Sequence, residues 1–194
     1  MAGYIRYTAV LDACVLYPVT IANILMEFAW QGIYTAKWTK EIDREWVESL
    51  KRDRPDLTDR KIKSRLDQMH LAVPDWEIAK TKYQKLITAL DLPDPNDRHV
   101  LAAAIAGHAD CVVTKNTKDF PIEIVERHGV EILHPDDFIL SQLTLDSIQS
   151  LTVIKQLRSR MKNPEISAEK FLESLEKVEL VSTAEYLRRA IELI

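Results

Sequence analysis

Near the N-terminus the run Tyr7-Thr8-Ala9-Val10-Leu11 is apolar and β-favouring, and it breaks off at a carboxylate, Asp12. A strand this short and this uniformly apolar has no solvent face, so it reads as the first, buried strand of a parallel sheet. That requirement constrains everything downstream. Parallel neighbours need long crossovers, and helices must cover both faces of the sheet.

Helical patterns follow in the right places. After Pro18, Ile21, Ile24, Leu25, Phe28 and Ala29 recur at helical spacing, and Gly32 stands where a glycine would stop the helix. Further helices are predicted from Thr39 to about Leu50, from Thr58 to Met69 and from Trp76 to Leu90, with Thr39, Thr58 and Asp75 as N-caps. Ala72-Val73-Pro74 reads as a short strand or a linker. The turn-rich run 91–97 opens onto Val100-Leu101-Ala102-Ala103-Ala104-Ile105-Ala106, closed by Gly107. A helix apolar nearly all round packs on both sides, which places this one against the sheet.

Cys111-Val112-Val113-Thr114 and Val130-Glu131-Ile132-Leu133 read as strands, with a short helix from Pro121 to Arg127 between them. From Asp136 onward the pattern is helical throughout. Ser167 reads as an N-cap, Ser182 with Glu185 as a capping box, and Asn163-Pro164 as the clearest break. The expectation is an α/β domain over residues 1–140 and a small all-helical appendage over 141–194.

Composition narrows the function classes. The 26 basic residues against 30 acidic ones leave a formal charge of −4, so nucleic acid would have to bind at a local basic patch. The segment 51–65 offers one: Lys51, Arg52, Arg54, Arg60, Lys61, Lys63 and Arg65 against Asp53, Asp56 and Asp59. The competing reading is a solvated helix face. No apolar run is long enough to span a membrane and no leader pattern opens the chain, so the expected location is cytoplasmic. Cys14 and Cys111 lie beside apolar runs and read as reduced, buried thiols. The histidines show no zinc spacing; His99, close to Asp97, is the one to test for a role in catalysis.

Ligands bind outside the carboxyl ends of parallel strands, so acids at those ends gather even when far apart in sequence. Asp12 ends the first strand, Asp97 opens the alanine helix, and Asn116 and Asp119 follow the Cys111–Thr114 strand. Asp97 taken alone could be a helix N-cap, and Asp12 a turn residue. On the helix after Thr39, Glu45 lies about 60° from Ile42 at the edge of the core stripe. Asp43 falls inside that stripe, and periodicity does not choose between them.

These residues, in this order, are recognisable. Val10-Leu11-Asp12-Ala13-Cys14-Val15-Leu16-Tyr17-Pro18 resembles the opening of PIN-domain ribonucleases, and Trp38 to Trp46 resembles the segment in which a Ser or Thr precedes an inward Glu by six residues, which selects Glu45. Asp94 to Ala104 and Ala109 to Pro121 resemble the third and fourth motifs, so the likeness spans about residues 7 to 135. Many members carry Thr-x-Asp where this chain has Thr114-Lys115-Asn116, with Asp119 three residues on. The first helix reads Val19-Thr20-Ile21-Ala22-Asn23 where relatives often show an Arg-Asp pair.

The resemblance implies a PIN-like three-layer α/β/α fold and a metal-dependent endoribonuclease of the VapC type, the toxin of a type II toxin–antitoxin pair. It implies that Asp12, Glu45 and Asp97 hold Mg²⁺ or Mn²⁺ with Asn116 or Asp119 completing the shell, and that Thr114 orients a water or a ligand. Hard divalent ions prefer oxygen donors and activate a water against an anionic phosphodiester, which suits such a set. It further implies an RNA substrate, a 5′-phosphate product, a small cognate antitoxin covering the acidic crevice, and a homodimer. Two other classes compete. One is a catalytically inactive PIN-like module that binds RNA or protein. The other is a haloacid dehalogenase-like phosphatase, which needs a second Asp where Cys14 stands.

Overall fold

The structure, a computed structural model, describes residues 6–162 and 165–194. The predicted break at Asn163-Pro164 therefore lies outside the described residues, as do the first five residues of the stretch searched for a leader.

Four parallel strands form the sheet: β1 (Thr8–Leu11), β2 (Thr35–Lys37), β3 (Cys111–Val113) and β4 (Glu131–Leu133), in the order β2-β1-β3-β4. Ala9 pairs with both Ala36 and Cys111, and Leu11 pairs with Val113, so β1 and β3 run side by side with their carboxyl ends level. Val10, Leu11 and all of β3 are fully buried, as the apolar run required. From β1 the chain moves outward to β2, then returns past β1 to β3. Right-handed crossovers put helices made on opposite journeys on opposite faces of the sheet. The order therefore reverses between β1 and β3, which opens a crevice at their carboxyl ends.

The first journey carries α1 (Ala13–Leu16) and α2 (Val19–Trp30), and Gly32 at φ +72° ends α2 as expected. The second carries α3 (Lys40–Asp53), α4 (Asp59–Ala72), α5 (Lys80–Ile87) and α6 (Arg98–Ala106). The alanine-rich α6 lies on β1 and β3 with α5 against its other side, so small side chains serve close approach on two fronts. Gly107 serves the same end: a Cβ there would sit 2.6 Å from the Ile78 side chain. A short α7 (Ile122–Val125) joins β3 to β4.

The tail forms α8 (Pro135–Leu145), α9 (Ser147–Ser159), α10 (Ala168–Glu176) and α11 (Val181–Arg188). Helices α8, α9 and α10 pack against α2, and Phe138, Ile154, Phe171 and Leu187 belong to the same buried cluster as the sheet.

Three local expectations need correction. Strand β2 went unrecognised, because its three residues are too few to show a period. The helix predicted from Trp76 starts only at Lys80, and Asp75 does not cap it. Trp76 and Ile78 instead bond to the backbone of Trp38, the Trp38 N–H donating to the Trp76 carbonyl at 2.9 Å and the Ile78 N–H to the Trp38 carbonyl at 2.9 Å. The third correction concerns Ser182, which does not open a capping box. Helix α11 starts at Val181, and its free N–H groups at Ser182 and Thr183 each donate to the Asp136 carboxylate at 2.8 Å. A carboxylate from a neighbouring helix has displaced the local cap, a tertiary contact that no sequence window contains.

Candidate functional site

At the strand-order reversal lies a cleft of about 500 Å³ lined by Asp12, Cys14, Tyr17, Glu45, Trp46, Ser49, Arg52, Asp53, Asp97, Lys115 and Asn116, among others. Of the predicted candidates, Asp12, Glu45, Asp97 and Asn116 line it together although they lie on four separate stretches of chain.

Asp12 is the most firmly held. It is buried, and its Oδ1 accepts the Ala13 N–H at 2.6 Å, so the turn role foreseen for it is real. Its Oδ2 accepts the Thr114 hydroxyl at 2.7 Å and the Cys14 thiol at 3.1 Å. Thr114 is fully buried and in turn accepts the Asn116 N–H at 3.0 Å. Thr114 thus fixes a carboxylate oxygen and the start of the next loop. Burial, followed by the neighbouring Asp12 charge, pushes the Cys14 thiol up to about 12, so it stays protonated and can donate. Cys14 is half-buried rather than fully enclosed.

Asp43 and Glu45 take different positions. Asp43 is buried away from the cleft, where its Oδ1 accepts both the Trp38 and Trp46 indole N–H groups at 3.0 Å and its Oδ2 lies 2.8 Å from His70 Nε2. Glu45, two residues on, faces the cleft, with Oε1 2.9 Å from His99 Nε2. His99 is buried. Burial alone would lower its pKa, but the hydrogen bond to Glu45 and the charges of Glu45, Glu41 and Asp12 outweigh that and hold it above the ordinary value.

Asp97 behaves differently from an N-cap. It precedes α6 yet makes no capping hydrogen bond, and its Oδ2 is buried without a partner. Burial first, then the charges of Asp12, Asp94 and Asp119, push it up to about 7. Asp119 acts on Asp97 through its charge but does not line the cleft, whereas Asn116 does and is exposed.

The basic segment is largely self-neutralised. Lys51 pairs with Asp59, Arg52 with Asp53, Arg54 with Asp56 and Lys63 with Asp67, at 2.7 to 3.0 Å. Arg65 turns inward, donating to the Leu16 and Tyr17 carbonyls and stacking 4.9 Å over Trp46. Arg60 and Lys61 lie along α4, and Arg52 alone of the seven reaches the cleft. Two lining residues that sequence reasoning missed are Cys14 and Lys115. Their one available signal was adjacency, each standing next to or near a motif residue.

Among the described residues no three His, Cys, Asp or Glu side chains are already drawn into a common ligand cluster. The partners explain the spacing: Glu45 is held by His99, Asp12 by three donors, and bare carboxylates repel one another. The donor set nevertheless fits a hard divalent cation. It is built of oxygens, and Asp97 Oδ2 is a buried acceptor in want of a positive partner.

The chain is similar to known proteins over two stretches. Residues 8–118 match the family model described as "PIN domain", and residues 135–189 match the one described as "VapC50 C-terminal domain". A curated relative from Mycobacterium tuberculosis, named "Putative ribonuclease VapC50", is 37% identical over 93 residues, 48% of this chain and 54% of the relative. The chain thus spans about half the length of the curated relative it matches. No solved structure matches. Among the described residues no helix is long and apolar enough to cross a membrane.

Proposed function

Because the chain belongs to the PIN-domain family, we propose that it is a metal-dependent endoribonuclease, the toxin of a type II toxin–antitoxin pair. The observation that carries this reading is the meeting of Asp12, Glu45, Asp97 and Asn116 in one cleft, with Asp97 Oδ2 buried and unpartnered. In this reading Asp12, Glu45 and Asp97 hold Mg²⁺ or Mn²⁺, with Asn116 or Asp119 completing the shell. The bound cation supplies charge neutralisation at the phosphodiester and an acidified water.

The chain's own residues do the rest. Thr114 and Cys14 keep one Asp12 oxygen in place, and the Ala13 N–H holds the other. His99 points Glu45 at the cleft, and the contact of Asp43 with His70 ties α3 to α4 on the side away from it. The matched relative's name supports RNA as substrate. The proposal extends to a cognate antitoxin that covers this acidic cleft, to a homodimer and to a cytoplasmic location. It also extends to residues 1–140 and 141–194 as nuclease domain and helical appendage, with α8 crossing that bound, and to the segment 51–65 as an RNA-docking strip through Arg60 and Lys61.

Asn116 is neutral where many members carry an acid, which favours the inactive binding module as the second reading. One assay separates them. Purified protein is expected to cleave single-stranded RNA with Mn²⁺ and to lose that activity as Asp12→Asn. A wild type inert toward several RNAs across Mg²⁺ and Mn²⁺ would leave the module.

A further inference from the structure

The tail meets the cleft at an ion pair. Lys115 follows Thr114 at the end of β3, lines the cleft, and pairs its ammonium with the carboxylate of Glu179. Its backbone is fixed, the N–H donating to Cys14 Sγ at 3.1 Å, so the side chain is the part free to switch. Glu179 sits in the turn between α10 and α11. There the Leu180 N–H donates to the Leu175 carbonyl at 3.0 Å, a closure that leaves Glu179 at φ +69°. Glycine or asparagine suits that left-handed position, and glutamate adopts it at a cost. The cost places a negative charge on Lys115.

Charge in the cleft gives this contact its consequence. Among the described residues, Arg52 and Lys115 are the lysine and arginine side chains that line the cleft with Asp12, Glu45, Asp53 and Asp97; Arg52 Nε is already 3.0 Å from Asp53, and His99 is engaged by Glu45. A polyanion entering this cleft needs an unengaged cation. The partner of Arg52 is itself in the cleft, whereas the partner of Lys115 belongs to the tail. The Glu179 side chain is 66% exposed against 28% for Lys115, so releasing the pair leaves the carboxylate in water, where such pairs are weak.

We propose that Lys115 is the phosphate-binding side-chain cation of the cleft, beside any metal ion, and that Glu179 competes with an RNA phosphate for it, so that the helical tail sets how tightly RNA is held. The inference rests on the ribonuclease reading.

The test is a double-mutant cycle read by fluorescence anisotropy of a labelled single-stranded RNA over a salt series, with divalent cations chelated so the RNA stays whole. Glu179→Gln is expected to tighten binding by about threefold or more and to steepen the log affinity against log salt slope by up to about 0.7. Lys115→Gln is expected to weaken binding, and in its background Glu179→Gln should change neither affinity nor slope. Glu179→Asn, which suits the left-handed backbone, should tighten binding as Glu179→Gln does without lowering Tm, which separates loss of charge from loss of the turn. Unchanged affinity in both Glu179 variants, or tightening that persists with Lys115→Gln, overturns the competition while Mn²⁺-dependent cleavage by the wild type leaves the ribonuclease reading standing. A wild type that neither binds nor cleaves RNA brings down both.

Discussion

The carboxyl end of the sheet and the helical tail each bury at least one carboxylate oxygen beside a helix N-terminus, and they treat it in opposite ways. In the tail, burial would raise the pKa of Asp136, but hydrogen bonds from Thr183 and Ser182 outweigh it and hold the group below its ordinary value. In the cleft, Asp97 stands ahead of α6, takes no such bond, and is pushed up to about 7 by burial and by other acids. The two side chains are chemically alike. The tail spends its carboxylate on satisfying backbone donors, a structural use, while the cleft leaves one unsatisfied, which is what a site for a positively charged ligand requires.

That contrast can be broken most severely at Asp12. Replacing it with Asn should lower Mn²⁺-dependent RNA cleavage by about a hundredfold or more, since several kcal/mol of charge stabilisation depend on the ligand set. Initial-rate measurements with folding checked by circular dichroism would show it, and near-normal turnover would remove Asp12 from the machinery. His99→Gln should cost about ten- to a hundredfold in activity or cation affinity, because it frees Glu45 to swing. A loss of stability with unchanged cation affinity would instead make His99 a packing residue.

The tail makes the complementary prediction. Asp136→Ala strips the N-terminus of α11 of its acceptor and should lower the unfolding free energy by about 2 kcal/mol in a urea titration. Cleavage by the folded fraction should be little affected.

The smallest effect concerns Asp97 and reverses sign from the usual mutation. Its folded pKa of about 7 lies above the ordinary 3.8. The folded state therefore holds the proton more tightly between those values. The stability this contributes is complete below about pH 4 and is lost as the pH rises through 7. In metal-free protein Asp97→Asn should thus stabilise by about 1 kcal/mol above pH 7, allowing for solvent screening at this half-buried site, and by nothing near pH 4. Equal Tm differences at both pH values would mean that the acid is not under electrostatic stress. Activity should fall in the same variant.

Much of this molecule is legible along the chain, and much is not, for a consistent reason. The run ending at Asp12, the Thr39 and Thr58 caps, the alanine helix and the strands at Cys111 and Val130 are local patterns, set by backbone preference and by which side chains water rejects. Those patterns imply a parallel sheet and acids at its carboxyl rim. Proximity across distant segments obeys no such rule. Asp43 and Glu45 are both acids near one helix stripe, and only the positions of Trp38, Trp46 and His70 make the first a scaffold residue and the second a cleft residue. Whether Ser182 or Asp136 capped α11, and that Lys115 would find Glu179, depended on helices docking from 46 and 64 residues away. Local sequence set the elements because their energies are local. The packed fold chose their partners, because burial removes water's competition and leaves each polar group to the nearest one able to satisfy it.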